Sequence, residues 1–88
     1  MFTVYILRSE RDGRYYVGQT SDLGKRLNRH NHGTERATQG RGPWVVVYTE
    51  QYDTRAEAMA RESKIKARKK RAYIEDLIAE YRGVAQPG

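Results

Sequence analysis

No cysteine occurs among the 88 residues of this chain, which excludes a disulfide framework and a thiolate zinc site. Stability must then come from packing, any metal must be held by oxygen or imidazole, and a reducing compartment is expected. Long apolar runs are missing too: the longest, Trp44 to Tyr48, falls far short of the roughly 20 residues that cross a bilayer. Arg8, Glu10, Arg11 and Asp12 interrupt the first apolar segment before it reaches the length of a secretion signal, so a cytoplasmic protein with no membrane partner is expected. Internal repeats and low-complexity tracts are also lacking.

What is present describes one small, basic, folded unit. A hydrophobic fraction of 38% and a charged fraction of 32% leave room for a single thin core, to which seven tyrosines and one tryptophan add bulk. Seventeen Lys and Arg against eleven Asp and Glu give a formal charge of +6 and a pI near 9.8. That balance favours a polyanionic partner, because basic side chains release the counterions condensed on phosphates. The plain alternative is a solvated basic surface.

Local pattern divides the chain into six elements. Phe2 to Leu7 and Tyr15 to Gly18, separated by Asp12-Gly13, read as an antiparallel hairpin. Ser21 or Asp22 caps a helix that carries Leu23 and Leu27 to about His30, with Asn31 and Gly33 as stop signals. Residues His32 to Pro43 read as a flexible polar loop. Trp44 to Tyr52 forms a third strand whose apolar run suggests the centre of the sheet.

Thr54-Arg55-Ala56-Glu57 opens a second helix by a capping box, with Ala56, Met59, Ala60 and Ile65 among its apolar members, to about Lys70. A third helix from about Arg71 to Tyr81 carries Ile74, Leu77, Ile78 and Tyr81. Residues 1–82 thus form one domain and Gly83 to Gly88 a frayed tail. The fold class is α/β in the α+β sense, a three-stranded sheet flanked by helices in the order β-β-α-β-α-α, with the third strand's direction left open by pattern alone.

Any even-length hairpin loop places Tyr5 and Tyr16 on one sheet face. A phenol, with an ordinary pKa near 10, is a poor base at neutral pH unless a cation or metal stands nearby. Arg26 and His30, four residues apart, share a helix face at the edge of the leucine stripe. A half-held guanidinium suits a scissile phosphate, which it grips with two parallel hydrogen bonds. Lys25 and Arg29 lie farther round, toward solvent.

Glu62 is a lone carboxylate among Arg61, Lys64, Lys66, Arg68, Lys69 and Lys70. Magnesium needs only one or two protein carboxylates besides water and phosphate oxygens, so one glutamate suffices. Zinc on His30 and His32 is disfavoured because only two imidazoles are available. Each residue has a plain counterpart: strand packing for the tyrosines, surface ions for Arg26 and Glu62, a satisfied boundary histidine for His30.

Taken together and in order, Thr3-Val4-Tyr5, Tyr16-Val17-Gly18, Arg26 within Lys25-Arg26-Leu27-Asn28-Arg29-His30-Asn31, and Glu62 within Arg61-Glu62-Ser63-Lys64-Ile65-Lys66 resemble the GIY-YIG nuclease superfamily. The resemblance spans nearly the whole chain and is strongest to the small stand-alone bacterial members. It is more distant to structure-selective nucleases and to the incision subunit of excision repair. It implies an antiparallel three-stranded sheet and one divalent ion, Mg2+ or Mn2+, at Glu62. Tyr5 and Tyr16 would position or activate the attacking water and Arg26 would stabilise the phosphorane-like charge, while the base is left between Tyr5 and His30. Thr3, Val4 and Val17 depart mildly from the motif name, Gln19 stands where repair-type members carry lysine, and the late asparagine of some restriction-type members has no counterpart.

The expected activity is metal-dependent endonucleolytic cleavage, of DNA in preference to RNA, with little sequence preference. Backbone contacts are assigned to Lys25, Arg29, Arg41, Lys64, Lys66 and Arg68. Such a small domain leaves room for a protein partner that directs it. A binding module that keeps the scaffold without catalysis is the alternative, and a protein-interaction domain indifferent to these residues is a third.

Overall fold

A computed structural model describes the backbone of residues 1–85 and the side chains of residues 1–81. Three strands, β1 (Phe2–Ser9), β2 (Tyr15–Thr20) and β3 (Trp44–Tyr52), and three α-helices, α1 (Leu23–Asn31), α2 (Arg55–Arg68) and α3 (Arg71–Ala85), follow one another in the order β-β-α-β-α-α. A short 3-10 turn, Arg36–Thr38, interrupts the segment between α1 and β3.

The sheet order is β2-β1-β3 and both pairings are antiparallel. This corrects the central place that its apolar run suggested for β3, which is an edge strand. The centre belongs to β1, where Val4, Tyr5, Ile6 and Leu7 are wholly buried. The run Trp44 to Tyr48 has another cause. Both faces of the sheet are covered, and an irregularity in the β1–β3 register between Ile6 and Leu7 breaks the strict alternation of β3. Trp44 and Val46 therefore pack with Tyr5 and Leu7 on one face, while Val47 and Tyr48 pack with Val4 and Ile6 on the other.

Helix α1 covers the first face through Leu23 and Leu27, and α2 and α3 cover the second through Ala58, Ile65, Ile74, Leu77 and Ile78. Asp22 caps α1 by accepting from the Lys25 amide at 3.1 Å. Thr54 and Glu57 close the expected capping box on α2, and Lys69, in the left-handed region at φ 52, ends it.

Within α2 the inward face differs from expectation: Ala56, Met59 and Ala60 are exposed, and the stripe facing the sheet runs Ala58, Arg61, Glu62, Ile65. Two half-buried charged residues occupy it because each finds a partner, Arg61 on Glu50 and Glu62 on Lys66. Helix α3 passes its expected end at Tyr81 to reach Ala85. Of the tail expected over Gly83 to Gly88, residues 83–85 belong to α3 and residues 86–88 lie outside those described. Among the described residues no helix is long and apolar enough to cross a membrane.

Candidate active site

The hairpin register decides where the two tyrosines go. Ser9 donates from its amide to the Arg14 carbonyl at 2.8 Å, leaving Glu10 to Gly13 as a loop of even length. Gly13, at φ +76, takes the left-handed turn position. With Tyr5 opposite Gly18 and Leu7 opposite Tyr16, both phenols emerge on the α1 face, their ring centroids 6.4 Å apart.

Gly18 is what lets Tyr5 lie there. A Cβ at position 18 would stand 2.5 Å from the Tyr5 hydroxyl oxygen and 2.7 Å from Cζ. The glycine of the Tyr16-Val17-Gly18 motif thus keeps a channel open for the neighbouring phenol.

Helix α1 brings His30 against this pair. The His30 ring lies 5.0 Å from Tyr16 and 5.9 Å from Tyr5, centroid to centroid, and its Nε2 is 3.0 Å from the Tyr5 hydroxyl. Its Nδ1 is 2.7 Å from the Thr38 hydroxyl, and that hydroxyl donates to the Glu35 carbonyl at 3.4 Å. The chain of contacts sets proton positions. Thr38, spending its hydrogen on a carbonyl, accepts from His30 Nδ1–H, which leaves Nε2 as the acceptor for the Tyr5 O–H.

Burial pushes the Tyr5 phenol above its ordinary value; Tyr16 adds to the effect and Arg26 opposes it. Burial pushes the His30 imidazole below its ordinary value, with Glu35 opposing and Arg26 adding. Both groups are therefore neutral at neutral pH, a hydrogen-bonded donor and acceptor in place of an ion pair.

Arg26, half-buried one helical turn from His30, pairs with Glu35 at 3.6 Å. Glu35 and Thr38 both come from the segment read as a flexible polar loop. It is instead tied down: Thr38 is 1% exposed, Trp44 donates from Nε1 to the Thr38 carbonyl at 3.3 Å, and Asn31 bonds Trp44 through both amide atoms. Neither residue carried a signal in the sequence, because one buried threonine in a Gly- and Arg-rich stretch has no periodicity to betray it.

Tyr5, Tyr16, Arg26 and His30 are thus gathered on the α1 face. Glu62 approaches from the other side of the sheet, on the inward stripe of α2. The connection runs around the β2 edge: Lys66 holds Glu62 at 2.5 Å while its ammonium stands 5.8 Å from the centre of the Tyr16 ring. Alternation along β2 places Gln19 on the same side as Val17, facing α2, and its buried side-chain oxygen has no hydrogen-bond partner among the described residues. Among the described residues no group of three or more His, Asp or Glu is arranged to hold a metal.

The basic residues separate. Lys25 and Arg29 flank Arg26 along one groove beside the start of α1. Arg41 lies at the hairpin end, its carbonyl accepting from Ser9 at 2.6 Å. Lys66 sits at the Tyr16 side, Arg68 stacks on Tyr73 at 4.8 Å, and Lys64 lines a groove with Glu50 and Tyr52 away from the tyrosine pair.

On this small antiparallel sheet a phenol and an imidazole are thus joined by a hydrogen bond, with an arginine one helical turn from the imidazole. A family model described as the GIY-YIG catalytic domain matches residues 1–74, and the chain belongs to that family, which is one of endonucleases. It is 42% identical over 67 residues to a UPF0213 protein of Halobacterium salinarum, covering 75% of this chain and 86% of that one. With a UPF0213 protein of Streptococcus pneumoniae it shares 38% over 78 residues, 88% of this chain and 77% of the relative. The solution NMR structure of a UPF0213 protein from Bacillus halodurans superposes with a TM-score of 0.56 at 36% identity, covering 90% of this chain and 84% of that one.

Proposed function

We propose that this chain is a metal-dependent endonuclease that hydrolyses phosphodiester bonds of nucleic acid, DNA in preference to RNA, with little base preference. The observation that carries the reading is the buried Tyr5–His30 contact at 3.0 Å, backed by Thr38 at 2.7 Å and crowned by Arg26. A neutral phenol is no base, but a neutral phenol already donating to an imidazole can pass a proton on. As a water oxygen bonds to phosphorus, its proton moves to the Tyr5 oxygen while the Tyr5 proton moves to His30 Nε2. The P–O bond to the leaving strand breaks in line with the attack, its electron pair staying on the departing oxygen, which takes a proton from solvent. Thr38 and Glu35 then face the imidazolium that forms.

Arg26 supplies the charge that grips the phosphate, for which substrate oxygens replace Glu35. Glu62 would hold a single Mg2+ or Mn2+, which when bound supplies Lewis-acid stabilisation of the developing negative charge. A hard cation there would have to displace the Lys66 ammonium from the carboxylate, and the amide oxygen of Gln19, on the same side of β2 and without a hydrogen-bond partner among the described residues, is a second oxygen donor of the right kind. Lys25, Arg29 and Arg41 would touch the backbone around Arg26 and the hairpin, and Lys66 beside Tyr16.

The test is cleavage of labelled DNA by purified protein with Mg2+ or Mn2+, lost in Arg26→Ala and Glu62→Ala. Salt-sensitive binding with no cleavage on any substrate would leave a binding module on the same scaffold.

A further inference from the structure

Beside the tyrosine cluster lies a groove of about 380 Å³ to which the proposed reaction assigns no occupant. Its floor is apolar, made by Val17, Ile65 and Ile74, with Tyr15 at one wall and Tyr16 lining it at the β2 edge. Its rim carries Lys66 from the last turn of α2, Lys69 and Lys70 from the connection, and Arg71 from the start of α3. Two of these cations sit over the aromatic rings, Arg71 4.8 Å from the centre of Tyr15 and Lys66 5.8 Å from that of Tyr16. Arg71 is further fixed by donating to the Gly13 carbonyl at 3.1 Å, which ties the start of α3 to the hairpin.

We propose that this groove is a binding site for one unpaired nucleotide of a nucleic-acid strand, adjoining the phosphate gripped at Arg26. Two observations choose this occupant. The rim is cationic and the floor apolar and aromatic, the combination by which single strands are held: lysines for the phosphates, rings and aliphatic faces for the base. The volume is at the low end of ligand sites, about right for one nucleotide and far too small for a duplex. A base still paired in a duplex hides its faces in the stack and offers this floor nothing. Because Tyr16 belongs both to the groove wall and to the cluster around His30, a strand filling the groove runs on into that cluster.

This inference rests on the reading of the chain as one that acts on nucleic acid, and it is tested by binding alone. Full-length protein in EDTA is titrated into fluorescein-labelled oligo(dT) of about twelve nucleotides, and into an oligomer of equal length whose central nucleotides are abasic. The site predicts about tenfold weaker binding to the abasic oligomer, the loss of roughly one stacked base. Lys70→Glu should weaken oligo(dT) binding about tenfold and Arg55→Glu, an equal charge change at the far end of α2, less than about threefold. Equal affinity for both oligomers, equal effects of the two substitutions, or no binding of oligo(dT) would overturn the site. Loss of binding to the abasic oligomer in a protein that cleaves nothing would sink the nuclease reading and keep the groove.

Discussion

Replacing Gly18 with alanine probes how tightly the sheet holds Tyr5. The added Cβ would stand 2.5 Å from the Tyr5 hydroxyl oxygen, where ordinary contact begins at 3.4 Å, so the phenol must retreat by about 0.9 Å. A free tyrosine tip would swing aside at little cost. This one is wholly buried, bonded to His30 and packed against Tyr16. The strain is therefore that of an overpacked core, about 1–3 kcal/mol. In a domain of this size it lowers the melting temperature by roughly 4–8 °C per kcal/mol. A displacement near 1 Å also breaks the Tyr5–His30 contact, and misplacement of that order costs about a hundredfold in rate. Thermal unfolding by circular dichroism and single-turnover cleavage read the two effects separately. A Gly18→Ala protein that melts with the wild type and cleaves at its rate would refute the claim that the motif glycine makes room for the phenol.

Thr38→Val keeps the shape at the back of His30 and removes the hydroxyl that fixes its tautomer; cleavage should fall by at least about tenfold and recover in Thr38→Ser, as read by single-turnover rates. Because the accepting form of His30 is neutral and burial holds its pKa down, wild-type activity should persist below the ordinary histidine value of about 6.5 and fail only at more acid pH. A rate profile that instead breaks above that value would contradict the relay. On the other face, burial alone would raise the Glu50 carboxyl, but the Arg61 fork and the Tyr48 and Tyr52 hydroxyls outweigh it and hold the group below its ordinary value. Glu50 then adds stability above the ordinary carboxylate range, lost as pH falls through its lowered pKa. Glu50→Ala, which strands the half-buried Arg61, should cost about 2–3 kcal/mol in urea unfolding at neutral pH and flatten that acid loss.

Element types were legible in the sequence because each had a local cause: alternating β-branched residues for the strands, Asp22 and the Thr54–Glu57 box for the helix starts, Gly13 for the turn. Sheet order was not. An apolar run records that both faces of a strand are covered, and β3 meets that condition at an edge. The inward stripe of α2 was hidden for a related reason. Its charged members, Arg61 and Glu62, are neutralised by Glu50 from β3 and Lys66 one turn on, partners that hydropathy does not count. Within the site, loop parity sufficed to place Tyr5 beside Tyr16, and helical spacing to place Arg26 and His30 toward the sheet. Thr38 and Glu35 were invisible because only the folding back of the segment after α1 brings them under the imidazole and the guanidinium.

The central claim, that this cluster and Glu62 cut a phosphodiester bond, is tested most directly by one pair of rates. Single-turnover cleavage of end-labelled single-stranded DNA with Mg2+ or Mn2+ is compared for wild type and Glu62→Gln, purified side by side. The account predicts a loss of at least about a hundredfold in Glu62→Gln, with oligo(dT) affinity in EDTA changed by less than about threefold. Equal rates in the two proteins would contradict it.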